Sequence, residues 1–85
     1  MHSGSADRLA LAQRILNSHE VPPGLHHDVP NPIQVRVRLQ WEKDGEEYVD
    51  TIAVEWTSQL VRVAMNDRRW MLAAAWVGAD DVRRV

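Results

Sequence analysis

Between residues 33 and 41 apolar and polar side chains alternate without a break, and after Asp44-Gly45 the chain runs back through Tyr48, Ile52, Val54 and Trp56. Ile33, Val35, Val37, Leu39 and Trp41 fall on one side of an extended chain; Gln34, Arg36, Arg38 and Gln40 fall on the other. A period of two with one apolar side defines a strand with a dry face and a wet face. Asp-Gly favours a two-residue type I′ turn, in which both central residues need φ > 0. Closing that turn with Lys43 opposite Glu46 sets Trp41 against Tyr48, Val37 against Ile52, Val35 against Val54 and Ile33 against Trp56. Aromatic and β-branched pairs of this kind contribute about 0.2–1 kcal/mol each. Leu39 against Asp50 is the exception on the dry face. The wet face pairs Gln40 with Val49, Arg38 with Thr51, Arg36 with Ala53 and Gln34 with Glu55. A slip by one residue would turn every apolar side chain into water, so the hairpin specifies its own register.

The rest of the chain must complete a core around this hairpin with few other resources. Its 85 residues make one domain, and a domain of this size buries only about 60–65% of its unfolded surface. Cysteine is absent, so neither a disulfide nor a thiolate zinc site supplements the packing. No apolar run approaches the ~20 residues that cross a bilayer, and the first residues lack a signal-peptide core. The expected location is therefore cytoplasmic, with no membrane partner. The net charge of −2 supplies no overall field to recruit nucleic acid. Nine arginines against one lysine, with abundant Val and Ala, point to a high-GC genome.

Three parts follow from the patterning. Residues 1–19 contain a helix candidate over 5–18, with Ser5 as N-cap, Asp7 in the first turn and a stripe of Leu9, Ala12, Ile15 and Leu16. So short a helix is marginal alone, and its stripe is expected to dock on the sheet or, as the sharper alternative, on a partner. Residues 20–32 read as a linker, because Pro22, Pro23, Pro30 and Pro32 oppose regular structure. Residues 33–85 read as an antiparallel β domain of about four to five strands. Val61, Val63 and Met65 alternate with polar or small residues after a short Thr57-Ser58-Gln59 connection. Residues 70–77 are apolar on both faces, as in a strand covered on each side; a short helix capped by Asp67 competes with that reading. The fold class expected is thus mainly β, in an α+β arrangement with an N-terminal amphipathic helix.

The ending Trp76-Val77-Gly78-Ala79-Asp80-Asp81-Val82-Arg83-Arg84-Val85 places a tight or 3₁₀ turn before a short last strand. A twisted hairpin, a second hairpin, one 3₁₀ turn and a closing strand resemble the order of SH3-like small barrels. The resemblance covers about fifty residues and rests on pattern. The acidic loop and proline-binding signature of signalling SH3 domains are missing, so it implies a fold and no ligand residues. The chain also resembles small reading frames of actinobacteria and their phages, which implies no activity.

Candidate chemistry is sparse. His26, His27 and Asp28 could ligate a divalent metal, but adjacent residues in a proline-flanked stretch lack a rigid scaffold, and a solvated linker is the preferred reading. No nucleophile elbow, Gly-rich phosphate loop or Ser–His pairing is visible. No catalytic, cofactor or metal residue is therefore assigned, and the chain is not expected to be an enzyme. Arg36 and Arg38 share the wet face, and Arg62 is expected to join them from the third strand. Such a row could contact phosphates or carboxylates, although Glu42, Glu47 and Glu55 stand ready to neutralise it. Trp41 and Tyr48, beside the hairpin tip, are the candidates for an exposed aromatic groove. Asp50 marks that end as a rim or a polar-covered site. The expectation is a small protein-binding module acting on a partner protein or on itself as a homodimer through Trp41, Tyr48, Arg36, Arg38, Asp50 and Arg62. Nucleic-acid binding through the arginine patch is the alternative.

Overall fold

A computed structural model describes residues 11–24 and 27–85. It holds six strands: β1 (Ser18–His19), β2 (His27–Trp41), β3 (Gly45–Trp56), β4 (Leu60–Ala64), β5 (Ala74–Gly78) and β6 (Val82–Arg84), with a 3₁₀ turn, Ala79–Asp81, before the last. All pairings are antiparallel, and the strands form one open sheet in the order β1-β5-β4-β3-β2-β6. The sheet curls around a core of Ile15, Val35, Val37, Leu39, Trp41, Ala53, Val63, Ala75 and Val77. Val61, Met65, Trp70 and Val82 pack against it. Among the described residues no helix is long and apolar enough to cross a membrane.

The N-terminal amphipathic helix is overturned, and with it the α+β class: among the described residues the fold is nearly all β. Residues 5–10 lie outside the described residues, but residues 12–18 are not helical. Ile15, read as part of a helical stripe, instead bridges Trp41 and is buried. Leu16 N–H donates to Gln40 O at 2.7 Å, and Glu42 N–H donates to Arg14 O at 2.9 Å. The segment thus runs along the edge of β2 beyond the part that β6 covers. Asn17 completes the edge with its side chain, accepting from Gln40 N–H and donating to Arg38 O, both at 2.9 Å. A helix could bury the same apolar residues, but it would leave these backbone groups of β2 unpaired. Leu16 is exposed.

The hairpin forms, in a different register. Trp41 pairs with Gly45, Leu39 with Glu47, Val37 with Val49, Arg36 with Asp50 and Val35 with Thr51. Relative to the two-residue turn the partner strand is displaced by an odd number of residues, so the faces of β3 exchange. Tyr48 and Asp50 point outward; Glu47, Val49, Thr51 and Ala53 point toward the core side. The cause lies in the turn. Gly45 has φ of +80°, and among the described residues no other residue type has positive φ. A three-residue loop, Glu42-Lys43-Asp44, needs only that one left-handed position, whereas the type I′ turn would also force Asp44 there. Gln13 reaches across to hold the loop: its Oε1 accepts from Lys43 N–H at 3.0 Å and Asp44 N–H at 3.1 Å. The polar residues turned inward are satisfied, since Thr51 Oγ1 donates to Ala64 O at 2.7 Å and Glu47 accepts from Trp41 Nε1 at 2.8 Å.

A Cβ on Gly45 would meet no atom within 4 Å, so only the backbone opposes a side chain there. Gly45→Ala is expected to lose about 1–2 kcal/mol in urea melts, with spectra otherwise unchanged. A neutral result would mean that the loop relaxes to another turn.

The proline-rich stretch is partly sheet. Pairing of β2 starts at His27 opposite Trp56 and Asp28 opposite Glu55, then resumes at Ile33 opposite Ala53. Pro30 and Pro32 sit in the bulge between, where no ladder bond needs their missing N–H. Strand β5 begins at Ala74, after a turn at Arg68-Arg69, and no helix forms over 67–77. The 3₁₀ turn and last strand lie where the sequence placed them.

Candidate binding face

The outer face of β2, β3 and β6 gathers most of the residues singled out above. Strand alternation puts Arg36 and Arg38 on this face, and the register brings Asp50 and Tyr48 directly opposite them. Arg36 grips Asp50 with a fork, Nε to Oδ1 at 2.8 Å and Nη2 to Oδ2 at 3.2 Å. Asp50 is thus not an anomaly of the dry face but the partner of an arginine on the wet one. The hydrogen bond from Arg36 holds the Asp50 carboxyl below its ordinary range, and Asp50 raises Arg36 in return. Arg38 donates to Glu46 Oε2 at 2.8 Å and to Asp81 Oδ1 at 3.3 Å. Its pKa is raised, first by the Glu46 hydrogen bond. Asp81 also accepts from Asn17 Nδ2 at 3.1 Å, tying the 3₁₀ turn to the N-terminal segment.

Arg36, Arg38, Tyr48, Asp80, Asp81, Val82 and Arg83 line a cleft of about 230 Å³. Tyr48 is 59% exposed there. Arg83 was not among the expected residues. It lies opposite Arg36 in the β6–β2 ladder, and it makes no ion pair among the described residues. Its position outside the core follows from alternation with Val82, but its place beside Arg36 depends on β6 pairing with β2, which no local pattern announces.

Two expected members are elsewhere. Arg62 lies on β4 and donates to Glu55 Oε1 at 2.8 Å, away from the Arg36–Arg38 cleft. Trp41 does not form an exposed groove with Tyr48, and the two do not face each other. It is 1% exposed, on the core side, with the Arg69 guanidinium over its ring at 4.0 Å. Arg69 also meets Glu47 and Asp67 at 2.7 Å and Asp44 at 3.0 Å. Those carboxylates raise its pKa further, the Asp67 hydrogen bond most. The group looks like chemistry in isolation, but each member is consumed in holding the hairpin tip to the Asp67–Trp70 turn.

His26 lies outside the described residues, and His27 stacks on Trp56 with ring centroids 4.8 Å apart. Among the described residues no group of three or more His, Asp or Glu could hold a metal ion. The outer-face cleft offers a ligand hydrogen-bond donors and one aromatic ring on strands, and carboxylates on the 3₁₀ turn.

The fold and this face define a small antiparallel β domain with a mixed-charge, aromatic-edged cleft. No protein family, curated protein or solved structure matches the chain.

Proposed function

We propose that this chain is a non-catalytic protein-binding module whose recognition face is the outer surface of β2, β3 and β6. The observation that carries the reading is the exposed Tyr48 ring in one cleft with an arginine, Arg83, that has no ion-pair partner among the described residues. Tyr and Arg are the side chains most often dominant where proteins recognise one another. Nucleic-acid binding is the weaker reading, because Arg36, Arg38 and Arg62 each already hold a carboxylate. A phosphate would have to displace that carboxylate before it gained anything. The meander β2 to β5, followed by a 3₁₀ turn and a strand returning to β2, supports an SH3-like description. A cytoplasmic accessory role in an actinobacterium or its phage suits such a module.

Peptides selected from a random display library against the whole chain provide the test. Tyr48→Ala should weaken the selected peptides by about tenfold or more while leaving the melting temperature nearly unchanged. Equal affinity in the variant would remove the cleft from the interface. Binding of a DNA or RNA oligonucleotide at low salt, falling steeply as salt rises, would favour the alternative.

A further inference from the structure

We infer that β6 is a docking edge for an extended segment of a partner protein in which apolar and acidic residues alternate. This rests on the protein-binding reading and names the chemistry of the partner. Three independent features converge on β6.

The first is its backbone. Among the described residues β6 ends the sheet and pairs only with β2, Val82 opposite Val37, Arg83 opposite Arg36 and Arg84 opposite Val35. Val85 N–H donates to Gln34 O, so Val85 and, two residues back, Arg83 direct their backbone groups toward β2. Arg84 between them directs its N–H and C=O away from the sheet, where a strand can pair with them.

The second is what lies to either side. On the core side of β6 an apolar groove of about 350 Å³ is lined by Val29, Ile33, Val35, Trp56, Val61 and Val82, among others, with Arg84 also at its wall. On the outer side is the Tyr48 cleft. Arg83 lines both. A strand added to β6 would send alternate side chains to these two sides.

The third is charge. Arg83 and Arg84 are exposed and make no ion pair among the described residues, whereas Arg36, Arg38, Arg62 and Arg69 all do. Residues directed at the groove should therefore be apolar, and those directed at Arg83 acidic. A lysine directed at Arg83 would meet like charge there, although Asp80 and Asp81 line the same cleft.

The probe is a capped peptide of about seven residues alternating Val and Glu, the length of a typical added strand. It is titrated into the isotope-labelled chain and followed by amide chemical shifts. Shifts are expected to centre on residues 82–84 and on the groove residues Val29 and Ile33. Arg83→Glu with Arg84→Glu should weaken binding by about tenfold or more. Methylating the peptide nitrogens on one edge should abolish it, an arm that uses only the unaltered protein. Equal binding of the methylated peptide, equal binding of a Val/Lys peptide, or shifts remote from β6 would each overturn the assignment. A dimer of the chain alone, with the same amides shifting on dilution, would make the occupant a second copy and also overturn it. Library-selected peptides that depend on Tyr48 but leave β6 unshifted would defeat this inference and spare the protein-binding reading. If neither those peptides nor the probe binds, both fall.

Discussion

Trp41→Ala is expected to cost about 3–5 kcal/mol, the usual loss for deleting a large buried aromatic side chain. A domain of this size has a total stability near the low end of about 5–15 kcal/mol, so a substantial unfolded population should appear in water without denaturant. The size of the effect follows from the position of the ring. Trp41 is 1% exposed, its backbone is bridged by Ile15, its indole N–H donates to Glu47 and Arg69 covers its face. Trp41→Phe keeps most of the volume and loses the indole bond, so it should cost far less, about 1 kcal/mol. Urea melts followed by circular dichroism separate the two. A loss below about 1 kcal/mol for Trp41→Ala would mean that the ring is not part of the core.

Arg69→Met should be the next most damaging change, at about 2–3 kcal/mol. Breaking a fully buried ion network typically costs about 3–5 kcal/mol; here Asp44 and Glu47 stay half open to water and recover part of their solvation. Arg69→Lys should restore only part of the loss, because an ammonium cannot fork between carboxylates and lie flat on Trp41. The network also has an acid signature. Asp67 is held below its ordinary 3.8 by the Arg69 hydrogen bond, and Asp44 likewise by Gln13 first and Arg69 second. A depressed carboxyl contributes stability that is present above its unfolded value and lost as pH falls through the folded one. The gap between wild type and Arg69→Met should therefore be full at neutral pH and narrow below about pH 4. A gap that is unchanged at pH about 3 would show that the loss was packing alone.

What could be read in the chain, and what could not, divides along the range of the forces involved. Alternation in 33–41 and 61–65 is local, and those strands formed. Register is not local. The two-residue turn maximised apolar pairing within the hairpin, but the competing register gains the Arg36–Asp50 fork and a loop held by Gln13, some thirty residues away in sequence. The same displacement moved Tyr48 and Asp50 to the outer face while Trp41 stayed on the core side. That is why part of the candidate site survived and its aromatic pair did not. The helical stripe at Ile15 misled for a related reason: apolar spacing reports which residues are buried, not that the neighbouring backbone is needed as a strand partner. Arg83 escaped notice because its neighbour comes from pairing between distant strands.

The way the edge of β2 is closed bears on whether the chain can template its own aggregation. Fifteen residues long and strongly alternating over 33–41, β2 has the makings of an aggregation template if one side is left bare. Its exposed side is instead shared between β6 and residues 14–17, with the Asn17 amide bonded to it in between. The strands at the two ends of the sheet, β1 and β6, are two and three residues long, enough to hold one short segment but too short to propagate stacking from molecule to molecule. The segments with the weakest patterning are those that keep the strongest strand from recruiting copies of itself.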